Sequence, residues 1–146
     1  MKKTILFAAC FLALLLLCGC KSQETGNTPT TSGKTVTILN EVTDADIWIL
    51  PDTDKNRKTS VWGTATVSKV PTGESRQAAL CEPGDTGLYL LRMIDTESFY
   101  YSANGVALED GWTMKISGDG FLSTFLEVTD ENGVLQNTYD VFTARL

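Results

Sequence analysis

Hydrophobic residues fall on alternate positions over most of this chain, and a period of two marks half-buried strands rather than helices. Val36 and Ile38 share one face of a segment from Thr35 to Asn40. Trp112, Met114 and Ile116 alternate with Thr113, Lys115 and Ser117, and Leu122, Leu126 and Val128 share a face in the next run. The same reading predicts strands at Asp46 to Leu50, Ala65 to Val70, Ser75 to Leu80, Leu88 to Asp95, Phe99 to Leu108 and Leu135 to Thr143. Between them stand Pro71-Thr72-Gly73, Glu82-Pro83-Gly84-Asp85, Glu109-Asp110-Gly111, Gly118-Asp119-Gly120 and Glu131-Asn132-Gly133, all combinations that favour tight turns. Strands of this length and spacing predict an all-β fold, a single antiparallel β-sandwich or partly open barrel over residues 34–146. Val36, Ile38, Leu90, Met114, Ile116, Leu126 and Val128 are its expected core.

Two stretches depart from clean alternation. Asp46 to Leu50 carries Ile47, Trp48, Ile49 and Leu50 in succession, so it is apolar on both faces. One face of a two-layer sandwich normally meets water, which means that this one is either covered or binds something. Pro51 to Gly63 begins polar and ends Val61-Trp62-Gly63, and it reads as a loop over one sheet edge with Trp62 plugging the core.

The first 33 residues have a different pattern. Lys2 and Lys3 precede an uncharged apolar run from Ile5 to Leu17, short for a membrane-spanning helix, which needs about 20 residues, and of ordinary length for a signal peptide. The run ends in Leu17-Cys18-Gly19-Cys20, which resembles the bacterial lipobox. In that motif the cysteine sulfur accepts a diacylglycerol, and a small residue before it, here Gly19, admits the signal peptidase. Cys18 is a poor acceptor because bulky Leu17 precedes it. The resemblance implies a signal peptide at 1–19 and lipidated Cys20, with the following domain held on the extracytoplasmic side of a bacterial envelope. Two or three acyl chains, at about 0.8 kcal/mol per buried methylene, anchor firmly where one does not. Lys21 to Gly33 contains no aliphatic or aromatic residue and is expected to be a flexible tether reaching on the order of 20 Å.

Composition narrows the partners. The 146-residue chain has 12 basic and 18 acidic residues. Loss of Lys2 and Lys3 with the signal leaves a mature charge of −8. Such a surface repels nucleic acid and anionic headgroups, so the expected partners are a membrane reached through the lipid and a protein or glycan. Of the four cysteines only Cys81 lies in the domain, where it reads as a small buried hydrophobe or an intermolecular disulfide site.

Several segments together look like a small bacterial β-sandwich module found in secreted and lipid-anchored proteins. They are Val36 to Asn40, Ile47 to Pro51, Trp62-Gly63, Gly73-Glu74-Ser75 and Gly87-Leu88-Tyr89 leading to Asp95. The resemblance spans roughly residues 35–117 and implies a fold but no activity. Where that module often carries Asp-x-Asp-Gly, this chain has Asp95-Thr96-Glu97-Ser98.

Candidate chemistry is sparse. The chain has no histidine, which removes the commonest general base and zinc ligand and every Ser-His or Cys-His pair. Asp95 and Glu97 are the best acid–base pair available, and they read as solvated hairpin residues. Asp52, Asp54 and Asn56 offer alternate oxygens like the opening of a calcium loop, but Arg57 and Gly63 stand where such a loop needs Gly and Glu, and Lys55 and Lys58 add charge of the wrong sign. They read as a solvated turn, and no cofactor or metal is expected. The aromatic residues Trp48, Trp62, Trp112, Tyr89, Tyr100 and Tyr101 remain, with Trp48, Tyr100 and Tyr101 as the candidate ligand surface for stacking. The sequence therefore predicts a non-catalytic binding module, or alternatively a structural or accessory subunit of an envelope or transport complex.

Overall fold

In the computed structural model, which describes residues 31–120 and 123–146, nearly every predicted segment is a strand. In chain order these are β1 (Thr31–Asn40), β2 (Ala45–Pro51), a short helix α1 (Asp54–Lys58), β3 (Val67–Val70), β4 (Glu74–Cys81), β5 (Tyr89–Asp95), β6 (Phe99–Val106), β7 (Thr113–Gly118), β8 (Thr124–Thr129), β9 (Leu135–Asp140) and β10 (Phe142–Arg145). Cys20, the lipobox, the tether through residue 30 and Leu122 lie outside the described residues.

The strands form two five-stranded sheets, ordered β4-β1-β7-β8-β9 and β10-β6-β5-β2-β3, packed as a sandwich. Pairing is antiparallel except between β1 and β7, which run parallel with Ile38 opposite Met114. Val36, Ile38, Met114, Ile116, Leu126 and Val128 from the first sheet meet Ile47, Ile49, Tyr89, Leu91, Met93, Tyr101 and Ala103 from the second in one inter-sheet core. Each large side chain buried there contributes about 1.5–3 kcal/mol relative to exposure. The expected core is buried throughout. Leu90, however, has the opposite strand parity from Tyr89 and Leu91 and is buried on the outer face of the second sheet.

Three further readings are corrected. The predicted strand from Leu135 to Thr143 is broken at Val141, whose N–H donates to the Thr124 carbonyl, so that β9 completes the first sheet and β10 the second. β1 begins at Thr31, inside the stretch read as tether, because Thr31 pairs with Cys81 on β4. Cys81 is buried and disulfide-bonded rather than a thiol, and the remaining cysteines lie outside the described residues.

Asn40, fully buried at the end of β1, ties the two sheets together. Its side-chain amide donates to the carbonyls of Thr43 (2.6 Å) and Val70 (3.0 Å), and its Oδ1 accepts the Val42 N–H. A buried amide must satisfy its own polar atoms, and here it does so by holding the crossing from β1 into β2 against the end of β3.

Candidate functional site

The outer faces of the two sheets differ in chemistry. On the first, Lys115 reaches Glu41 and Glu127 across neighbouring strands in a solvated ion-pair row, which pushes the Lys115 pKa up. On the second, strand register sets three adjoining rows of side chains. Asp46, Ile94 and Tyr100 form one, Trp48, Arg92 and Ser102 the next, and Leu50 and Leu90 the third. Residues two apart on a strand lie about 6.6 Å apart on the same face, so the rows are contiguous.

The segment from Pro51 to Gly63 lies over this face, which explains why β2 is apolar on both sides. Thr53 caps α1 by accepting the Asn56 N–H, Asp54 stands in its first turn, and Lys55, Arg57 and Lys58 stand near its C-terminal end, the polarity that a helix dipole favours. Trp62 is not in the inter-sheet core. Its ring stacks on Tyr100 with centroids 5.4 Å apart and planes 21° apart, and Trp48 meets it edge-on at 5.5 Å. Both indole N–H groups are taken by the covering segment, Trp48 by the Gly63 carbonyl and Trp62 by the Thr59 carbonyl. What the half-buried rings still present to solvent is therefore largely carbon surface.

Asp52 fastens this cover. It is 1% exposed, which overturns the reading of a solvated turn. Arg57 grips it with two bonds, Nε to Oδ1 at 2.5 Å and Nη2 to Oδ2 at 2.7 Å, and the Gly105 N–H donates to Oδ2 at 2.9 Å. The Arg57 hydrogen bond, aided by Gly105, holds the Asp52 carboxyl below the usual carboxylate range against the opposing effect of burial. Asn56, the third residue of the would-be calcium loop, donates to the Pro51 carbonyl. Among the described residues no group of three or more His, Cys, Asp or Glu is arranged to hold a metal ion.

Arg92, 4% exposed, stands opposite Trp48 in the middle row of this face. Its Nη1 donates to the carbonyls of Leu91 and Ala103 and to Asn104 Oδ1, and burial pulls its pKa down. Beside it opens a cleft of about 350 Å³ lined by Asp44, Ala45, Asp46, Lys69, Ile94, Asp95 and Thr96. Because Ile94 pairs with Tyr100, the cleft and the aromatic cluster form one continuous surface.

Of the three residues expected to form a ligand surface, Trp48 and Tyr100 are brought together through Trp62, while Tyr101 points the other way. Tyr101 is 2% exposed in the core and donates to Asp95 Oδ2. Adjacent strand residues cannot share a face, a parity signal already present in the sequence. Trp112 packs against the core and Tyr89 lies within it. Asp95 is buried rather than solvated, its Oδ1 accepting the N–H groups of Glu97 and Phe99 to close the β5–β6 turn. Asp44 and Asp46 enter the sequence reading only as further oxygens for the calcium loop that is not expected to bind, and Lys69 and Arg92 are not singled out, because only tertiary pairing gathers them. No protein-family model, no curated protein and no solved structure matches this chain.

Proposed function

We propose that this chain is a lipid-anchored, extracytoplasmic, non-catalytic binding module of a bacterial envelope that meets its ligand with the outer face of the second sheet. The observation that carries the reading is the Trp48–Trp62–Tyr100 cluster, half-buried on an outward face and continuous with a cleft. Rigid aromatic rings at the surface supply contact area at little entropic cost. The lack of histidine supports a binding role over an enzymatic one.

The binding face is tested with the lipidated full chain in detergent. Retention on a cell-envelope fraction is expected to fall at least tenfold in Trp62→Ala, with an unchanged far-ultraviolet circular dichroism spectrum, since an aromatic contact of this kind is worth about 1.5 kcal/mol. Equal retention of the variant and the parent protein would remove the site.

The anchor rests on Leu17, Gly19 and Cys20. Cys20→Ser is expected to leave an unprocessed chain about 2 kDa heavier than the mature polypeptide before lipid is counted. A sulfur in a thioether cannot also form a disulfide, and loss of Cys10 and Cys18 with the signal leaves Cys81 no other in-chain cysteine, so in the lipidated chain the Cys81 disulfide would have to be intermolecular. Mass spectrometry that finds Cys20 disulfide-linked, or a mature N-terminus elsewhere, counts against lipidation.

A second reading, an accessory subunit docked on a neighbour, is favoured by Phe142. That side chain is 64% exposed on the edge strand β10. Co-purification of one partner at fixed stoichiometry that is lost in Phe142→Asp and kept in Trp62→Ala would select it.

A further inference from the structure

We infer that the cleft and aromatic cluster together take a neutral glycan, an inference that rests on the binding-face reading above and names its ligand class. A pyranose ring has two kinds of surface, an apolar face of C–H groups and a rim of hydroxyls that donate and accept. The site offers a match for each.

Carbon surface comes from Trp62 stacked on Tyr100, from Trp48 at its edge, and from Ala45 and Ile94 in the cleft. Polar groups border it. Asp46 Oδ1 accepts the Lys69 N–H at 2.8 Å, and Asp44 Oδ1 accepts the Thr72 N–H at 2.8 Å and its hydroxyl at 3.1 Å. Each carboxylate is thus fixed through one oxygen, leaving Oδ2 without a donor among the described residues and ready to accept a hydroxyl proton. Such pre-positioned acceptors bind without first paying to be ordered. Lys69 lines the same cleft and supplies a donor. A volume of about 350 Å³ lies at the lower end of the roughly 300–1,000 Å³ typical of small-molecule sites, enough for a ring-sized unit with the rest of the ligand lying along the aromatic cluster.

Charge selects among ligands. An anionic polymer would meet Asp44 and Asp46 on a protein of net charge −6 before processing. A cationic ligand would meet Lys69 in the cleft and Arg92 in the row of Trp48. Closely interleaved charges of both signs around apolar surface suit an uncharged ligand whose hydroxyls use both.

Tryptophan fluorescence titration of the full-length protein tests this with a panel of neutral hexasaccharides built on glucose, galactose, mannose, xylose and N-acetylglucosamine, alongside polygalacturonic acid and hexalysine. At least one neutral probe is expected to saturate. Its affinity should fall at least tenfold in Trp62→Ala and about tenfold in Asp46→Asn, which keeps the acceptor for Lys69 N–H and loses the free one. Circular dichroism melts of both variants control for folding. Binding of only a charged probe, lost in Trp62→Ala, would overturn the neutral-glycan inference and leave the binding face standing. Saturation by a neutral probe that ignores both substitutions would overturn both, and no saturation by any probe, with envelope retention still dependent on Trp62, would overturn the glycan alone.

Discussion

Between pH 10 and pH 12 the domain is expected to lose roughly 5 kcal/mol of stability and to unfold. Tyr89 and Tyr101 are 1% and 2% exposed, and burial, the first cause in each, pushes both phenols up from 10.0 to about 12. Tyr89 donates to the Cys81 carbonyl with Glu82 and Glu109 nearby, and Tyr101 donates to Asp95 Oδ2, so ionisation of either strands an acceptor against a new negative charge. Because the folded pKa lies above the unfolded one, the stability from each group is complete below pH 10 and is lost as the pH rises through 12. Two units correspond to about 2–3 kcal/mol apiece. The pair is then comparable with the whole stability of a small domain, about 5–15 kcal/mol. Absorbance at 295 nm and circular dichroism followed together check this. Two of the four tyrosines should ionise late and in step with loss of the strand signal. Ionisation of all four near pH 10 in a domain that stays folded would contradict the assignment.

Asp52→Ala is expected to cost about 2–4 kcal/mol and to lower Tm by on the order of 10 °C. The substitution removes both Arg57 bonds and leaves the Gly105 N–H without its acceptor. An unsatisfied buried donor alone costs about 1–3 kcal/mol. Arg57 adds less, because its half-exposed side chain can return to water. Asp52→Asn should cost less, since it keeps an acceptor for Gly105. The consequence reaches the aromatic cluster, because Asp52 holds the segment that carries Trp62, and tryptophan emission should shift to the red as the stack on Tyr100 loosens. The folded Asp52 pKa is depressed, so its contribution is present above the unfolded value of 3.8 and fades as the pH falls below it. An unchanged Tm and emission maximum in Asp52→Ala would show that the cover is held by its apolar contacts alone.

The cover also shows why some sequence readings succeeded and others did not. Val36, Ile38, Met114 and Ile116 declare their strands by alternation, a pattern complete within a few residues. Asp52 declares nothing locally. Its neighbours are polar and a turn is the ordinary reading, whereas its burial depends on Gly105, remote in the chain, and on Arg57 folding back from α1. The strand break at Val141 is similarly silent, with no Gly or Pro to mark it, because the break exists to carry the chain from one sheet to the other.

By itself the sequence determined that this domain is built of strands, where most of them begin and end, and that β2 needed something on both faces. Those properties follow from side-chain period and turn chemistry, which act over a few residues. Only the tertiary structure decided that β1 and β7 run parallel, that Tyr100 faces out and Tyr101 in, and that Trp62 stacks over the outer face instead of filling the core. Sheet order, absolute face and the gathering of Asp46, Ile94 and Trp48 into one surface are set by pairings between distant segments. Their free energy comes from burial and hydrogen bonds that no local stretch of chain contains.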